Sequence, residues 1–135
     1  KIGETIHIPS CCYEIEEYIH GPNLQLTPQY NVIFFDGNDG ASRRVEQVYK
    51  ATRKVSNRAY LISNNPQLSS DDHVLSLSDT VSSELCPLVY LPFVQLLSFI
   101  VSNDLHSIYQ HPLLKEFKAI AAAKTENFVN YDGDD

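Results

Sequence analysis

The stretch from Asn31 to Ser63 constrains the fold more than any other part of the chain. Asn31 to Phe35 (NVIFF) is a short run, apolar on both faces and rich in β-favouring residues, and the sequence DGNDG at Asp36 to Gly40 stops it. Such a run suits an interior parallel strand. From Ala41 to Ser56 the periodicity changes. Val45, Val48, Ala51, Thr52 and Val55 fall on one face, with Arg43, Arg44, Glu46, Lys50, Arg53 and Lys54 elsewhere, which predicts an amphipathic helix. A second strand follows within Arg58 to Ser63, carrying AYLI. Strand, helix and strand in this order form the unit from which parallel α/β sheets are built.

The flanking segments extend that pattern. His73 to Leu77 (HVLSL) reads as a third, weaker strand after a polar loop. Ser82 or Ser83 is placed to cap a long apolar helix from about Glu84 to Asn103, and Leu113 to Lys124 is helical by composition. On the amino-terminal side, Lys1 to Ile8 fits the tail of a helix, Cys11 to Ile15 alternates as a short strand would, and Gly21-Pro22 punctuates a helical turn. The whole predicts one α/β domain over residues 1–135: a three-layer α/β/α sandwich around a parallel sheet. The apolar stretch Leu85 to Val101 contains Pro87, Pro92 and Gln95 and falls short of the ~20 residues of a bilayer span, so it is expected to be a buried helix.

Charge narrows the partners. The chain has 17 Asp and Glu against 10 Lys and Arg, a net charge of −7, which disfavours nucleic acid and anionic membrane surfaces as partners. The three cysteines, Cys11, Cys12 and Cys86, are an odd number without metal-ligand spacing. That usage, with no basic and apolar leader, points to a reducing cytoplasm. His73, His106 and His111 lack ligand partners at metal spacing, and no metal or cofactor is expected. With no Met and Lys1 as first residue, the sequence is expected to be a piece of a longer chain.

Two places carry candidate chemistry. The loop Asp36 to Gly40 ends one strand and precedes a helix, so with Ser63 to Asn65 it marks the carboxyl edge of the sheet, where open α/β sheets bind ligands. Its two aspartates would repel a phosphate and it completes no phosphate-binding motif; a turn using Asp and Gly for backbone reasons is the simpler account. The second place is the amino-terminal segment. Glu4 lies three residues after Lys1, and His20 follows Glu4 by sixteen, just before Gly21 and Pro22. A carboxylate and an imidazole brought together would share proton transfers on a carbonyl compound. By spacing alone, ordinary helix and turn residues remain the alternative.

The run KIGETIHIPSCCYEIEEYIHGP resembles the second SIS (sugar isomerase) domain of the glucosamine-6-phosphate synthase isomerase family and its fructosamine-type deglycase relatives. Lys1, Glu4, Glu17, His20, Gly21 and Pro22 match that family's pattern without a gap, and the downstream order of strands and helices agrees across nearly the whole chain. A lysine near the family's C-terminus resembles Lys124. The resemblance implies a SIS, flavodoxin-like sandwich and activity on a phosphosugar, an amino-ketose 6-phosphate, by C1/C2 proton transfer. Glu4 would move the proton, His20 would open the ring or act as partner acid/base, often in a neighbouring subunit's site, and Lys1 would stabilise charge on the sugar oxygens. Lys124 would come from a closing C-terminal segment. A homodimer or larger homo-oligomer is implied, as is an upstream SIS domain carrying the phosphate-binding loop. Three activities fit the family: a deglycase or deaminase, an aminotransferase with a glutaminase domain upstream, and a non-catalytic sugar-phosphate sensor. The pairing of Glu4 with His20 favours the first.

Overall fold

The computed structural model describes residues 1–78, 81–106 and 120. Its centre is a parallel three-stranded sheet in the order β1 (Val32–Phe35), β2 (Ala59–Ser63), β3 (Val74–Ser76). Val32 pairs with Ala59 and Phe35 with Ile62; on the other side of β2, Leu61 pairs with Val74 and Ser63 with Ser76. The central position goes to the strand best suited to it. Ala59, Leu61, Ile62 and Ser63 of β2 are all buried, whereas β3, the weakest apolar run, takes one edge. The other edge is β1, so NVIFF is not the interior strand its composition suggests: among the described residues it pairs only with β2, and Phe35 is 41% exposed.

Side chains alternate across a strand, so Leu61 and Ile62 address opposite faces. Leu61 joins Phe34, Ala59 and Leu68 against Val45, Val48 and Tyr49 of helix α3 (Ser42–Arg53). Of the expected apolar stripe of α3, Val45, Val48 and Thr52 are buried, joined by Tyr49, which lies outside that stripe; Ala51 is exposed, and Val55 lies beyond the helix end and is 48% exposed. Phe34 meets Tyr49 and Tyr18 edge-on, at ring-centroid distances of 6.0 and 5.8 Å. Ile62 packs instead with Cys86 and Tyr90 of helix α4 (Cys86–Asp104). A small α/β fold with a parallel sheet is therefore present.

Three further details differ from the sequence expectation. Cys11 to Ile15 forms no strand: Glu14 accepts hydrogen bonds from the amides of Glu16 (2.9 Å) and Glu17 (3.2 Å) and so starts helix α2 (Ile15–Ile19), which follows the short helix α1 (Ile2–Thr5). A carboxylate that satisfies orphan amides favours a helix start over a strand with no partner. At α4 the serines act through their backbone: the carbonyls of Ser82 and Ser83 accept from Cys86 N–H, and no side chain caps the helix. Nor is α4 a buried helix. Only Cys86, Tyr90, Ser98 and Ser102 are buried, while Leu88 and Phe99 are 65% and 64% exposed. With 19 residues and a mean hydropathy of 1.5, α4 is long and apolar enough to cross a membrane by length and composition. The expected helix at Leu113 to Lys124 lies outside the described residues, apart from Ile120.

Candidate functional site

The amino-terminal segment places its chemistry on short, exposed elements. Lys1 precedes α1 and Glu4 lies within it, one helical turn apart on the same side. The Lys1 ammonium donates to Glu4 Oε2 at 2.9 Å, and this hydrogen bond with the accompanying charge attraction holds the Glu4 carboxyl below its ordinary range. Both side chains are open to solvent, at 50% and 70% exposure, so the pair is a surface ion pair accessible to a ligand. Just beyond α1, His7 takes a left-handed backbone conformation (φ 62°), which turns the chain away from the helix axis. Ile6 beside it is buried.

His20 ends α2, where its N–H donates to the Glu17 carbonyl at 3.2 Å, and its side chain is exposed. Gly21 and Pro22 then lead into the 3₁₀ turn Pro22–Gln25, with the proline in its first turn. The two candidate groups sit on differently anchored segments. Helix α1 packs against α4, while α2 packs against α3, where Arg44 Nε meets Glu16 Oε1 at 2.9 Å. Among the described residues no hydrogen bond or ion pair joins Glu4 to His20. Lys124 lies outside the described residues.

The carboxyl edge of the sheet is built very differently. Asp36 directly follows β1 and is 6% exposed. Its Oδ1 accepts from Asn38 N–H (3.0 Å) and from the Ser42 hydroxyl (2.5 Å), and its Oδ2 accepts from the Ser63 hydroxyl at the end of β2 (2.7 Å). Charge-assisted hydrogen bonds of this kind let a carboxylate be buried. Asn38 is left-handed (φ 52°), and its side-chain amide donates to the Val81 carbonyl at 2.6 Å. Asp39 Oδ1 accepts from Ala41 N–H at 2.8 Å, putting negative charge at the start of α3, where the helix dipole favours it. Tyr90 Oη donates to the Asp36 carbonyl at 2.5 Å, and burial, reinforced by the Cys86 thiol, raises the phenol above its usual range.

A cleft of about 360 Å³ opens over this loop, lined by Asp36, Arg43, Glu46 and Asn64 among others. Sequence reasoning marks Asp36 and Ser63 to Asn65 as neighbours there, which the 2.7 Å contact of Asp36 with Ser63 bears out. It misses Ser42, Arg43 and Glu46. Their signal was the first turn of α3, which points at the same edge. Chemically the Asp36 carboxylate is fully occupied in holding the loop, and Arg43 is offset by Glu46 in the lining, so the cleft is not the electropositive cradle a phosphate needs. Among the described residues no cluster of three or more His, Cys, Asp or Glu is positioned to hold a metal ion. Compared with known proteins, the chain matches no family model and no curated protein.

Proposed function

We propose that this chain is the second SIS domain of a cytoplasmic phosphosugar enzyme, a three-layer flavodoxin-like sandwich that acts on an amino-ketose 6-phosphate in the manner of a deglycase or deaminase. The observation that carries this reading is the Lys1–Glu4 pair: a carboxylate and an ammonium held 2.9 Å apart and open to solvent on a short helix, within reach of one ligand. An ionised carboxylate is the form a general base requires.

In the reaction, Glu4 takes a proton from C1 of the open-chain substrate and returns it at C2, which leaves an imine at C1; water adds to that imine, and the C1–N bond breaks to give the aldose 6-phosphate and the free amine. Negative charge develops on the sugar oxygen in the enolic intermediate between the two proton transfers, and the Lys1 ammonium lies where it can stabilise that charge. His20, exposed at the end of α2, accepts and donates the proton of ring opening. Its anchorage on α3, apart from α1, suits a histidine that serves the site of a neighbouring copy. Lys124 closes over the ligand in this scheme, and the sugar phosphate is held by residues outside this sequence.

The decisive experiment is Glu4→Gln in the full-length protein, assayed on an amino-ketose 6-phosphate. A proton-transfer role predicts a loss of turnover of about 10²–10⁴-fold with binding of the sugar phosphate retained. Turnover at the wild-type level in this variant removes Glu4 from the mechanism. A wild-type protein that binds the sugar phosphate and turns nothing over is a sensor.

A further inference from the structure

The cleft over the carboxyl edge of the sheet has an apolar floor and a polar rim. Val45, Leu61 and Leu68 form the floor, each at 9% exposure or less. Most of the rim is committed to holding the loops. Asp36 accepts from three donors, and the Ser42 hydroxyl is shared between Asp36 and the Asp39 amide. The Asn65 side-chain oxygen accepts from Gln67 N–H at 3.0 Å.

Three groups in the lining are left over. Among the described residues, the side chains of Arg43 and Asn64 have neither a hydrogen-bond nor an ion-pair partner. Glu46 gives Oε1 to Lys50, which does not line the cleft, while its Oε2 receives only a long 3.4 Å contact from Asn65 Nδ2. Arg43 and Glu46 stand three residues apart on α3, a spacing at which opposite charges ordinarily pair. Here they line the same cleft without pairing, so a positive and a negative group face one small space.

We infer that this cleft binds a free α-amino acid with a small aliphatic side chain. The ligand carboxylate meets the Arg43 guanidinium, its ammonium meets Glu46 Oε2 and the Asn64 side-chain oxygen, and its side chain lies on Val45, Leu61 and Leu68. The volume of about 360 Å³ is at the small end of the ~300–1,000 Å³ usual for ligand pockets, which suits a molecule of this size.

Charge selects this class over its neighbours. A phosphate ester brings more negative charge than the one unpaired cation can answer, beside the Asp36 and Glu46 carboxylates. A polyamine sets a like charge against Arg43. A neutral sugar takes water from the guanidinium and the carboxylate without replacing it by an opposite charge. A zwitterion gives each group its counterpart and adds no net charge to a chain already at −7. The site uses neither Glu4 nor His20, so it stands or falls apart from the enzyme reading.

The test is isothermal titration calorimetry of the full-length protein with L-leucine, 4-methylpentanoate and 3-methylbutylamine, the last two lacking the ammonium and the carboxylate respectively. L-leucine is expected to bind with a Kd of roughly 0.1–1 mM, and each analogue at least about tenfold more weakly. Arg43→Gln and Glu46→Gln should each weaken L-leucine about 10–100-fold, and Asn64→Ala about 2–10-fold. All three side chains lie outside the core, so the denaturant midpoints should stay at the wild-type value. No saturable binding of L-leucine up to about 10 mM overturns the proposal. So does 4-methylpentanoate binding as tightly as L-leucine, or L-leucine binding that both charge variants leave intact, which would put the amino acid elsewhere. Inorganic phosphate binding more tightly than L-leucine, and lost in Arg43→Gln, would make the cleft an anion site instead.

Discussion

Residues 32–68 and residues 1–25 of this chain obey opposite rules. The first region buries Phe34, Val45, Val48, Tyr49, Ala59, Leu61 and Leu68 in one cluster and satisfies its one buried carboxylate with three donors. In the second, neither short helix nor the 3₁₀ turn buries a single residue, although Lys1, Glu4 and His20 all lie there. Packing density and candidate chemistry are thus separated along the chain. A catalytic group works best when its surroundings lock its rotamer and exclude water. The amino-terminal segment carries Lys1, Glu4 and His20 without such a lock, so the proposed function requires that something be brought against α1 and α2 to order them.

This contrast is open to direct attack. The largest effect is expected from Leu61→Ala, at 1% exposure in the middle of the central strand. It should cost about 2–5 kcal/mol of stability, read from the denaturant midpoint. A loss below 1 kcal/mol would mean that the sheet is not the seat of stability. Next comes Asp36→Ala, which strands the hydroxyls of Ser42 and Ser63 near the sheet edge; about 3 kcal/mol is expected by the same measurement. A neutral result would show that solvent reaches the loop freely and that the two regions differ less than their burial implies.

A smaller effect concerns Tyr49, whose hydroxyl donates to Asp71 Oδ2 at 2.8 Å. The His73 amide, together with this phenol, holds the Asp71 carboxyl below its ordinary value. A carboxyl depressed in the folded state adds stability above its unfolded value of ~3.9, and that stability disappears as pH falls through the lower folded value. The phenol is shifted the other way, chiefly by burial and then by its bond to Asp71, so its contribution is lost as pH rises past ~10. Tyr49→Phe should therefore cost about 1 kcal/mol near neutrality and flatten both limbs of a stability–pH curve. Unaltered limbs would detach the pair from stability. The smallest structural effect is expected for His20→Ala. Its unfolding midpoint should move by less than about 0.5 kcal/mol equivalent while turnover of the full-length protein falls. A collapse of the thermal transition would make His20 a structural residue and erase the contrast at that position.

How far the fold was legible depended on where side chains had to go. The β1–α3–β2 unit announces itself through its order and periodicity, with one stripe of α3 on the sheet and AYLIS at the centre, whereas NVIFF, which reads as an interior strand, takes an edge and leaves Phe35 41% exposed. The start of α2 was misread because CCYEI alternates like a strand, and only the Glu14 carboxylate, turned back on two amides, decides for a helix. The exposure of α4 was not legible at all. An apolar helix looks the same in sequence whether its cover comes from its own chain or from another. At the sheet edge, the aspartates serve the backbone as expected, Asp36 accepting from Asn38 N–H and Asp39 from Ala41 N–H, but the left-handed position falls on Asn38 and on neither glycine. The role of Ser63 as partner of Asp36 across 27 positions emerges only when β1 and β2 pair. The Lys1–Glu4 contact follows directly from i, i+3 spacing, whereas the relation of Glu4 to His20 depends on how α1 and α2 are anchored, which spacing does not contain.

The hydrogen bond from Tyr90 to the carbonyl of Asp36 has a mechanical consequence. It joins the first turns of α4 to the loop that closes β1, so sliding the helix along its axis pulls Asp36 away from its partner Ser63 on β2. A load applied to the exposed side of α4 is therefore felt at the cleft. By reciprocity, anything that stiffens the cleft restrains the helix. The bond works as a brace, making the outer helix and the sheet edge move as one piece.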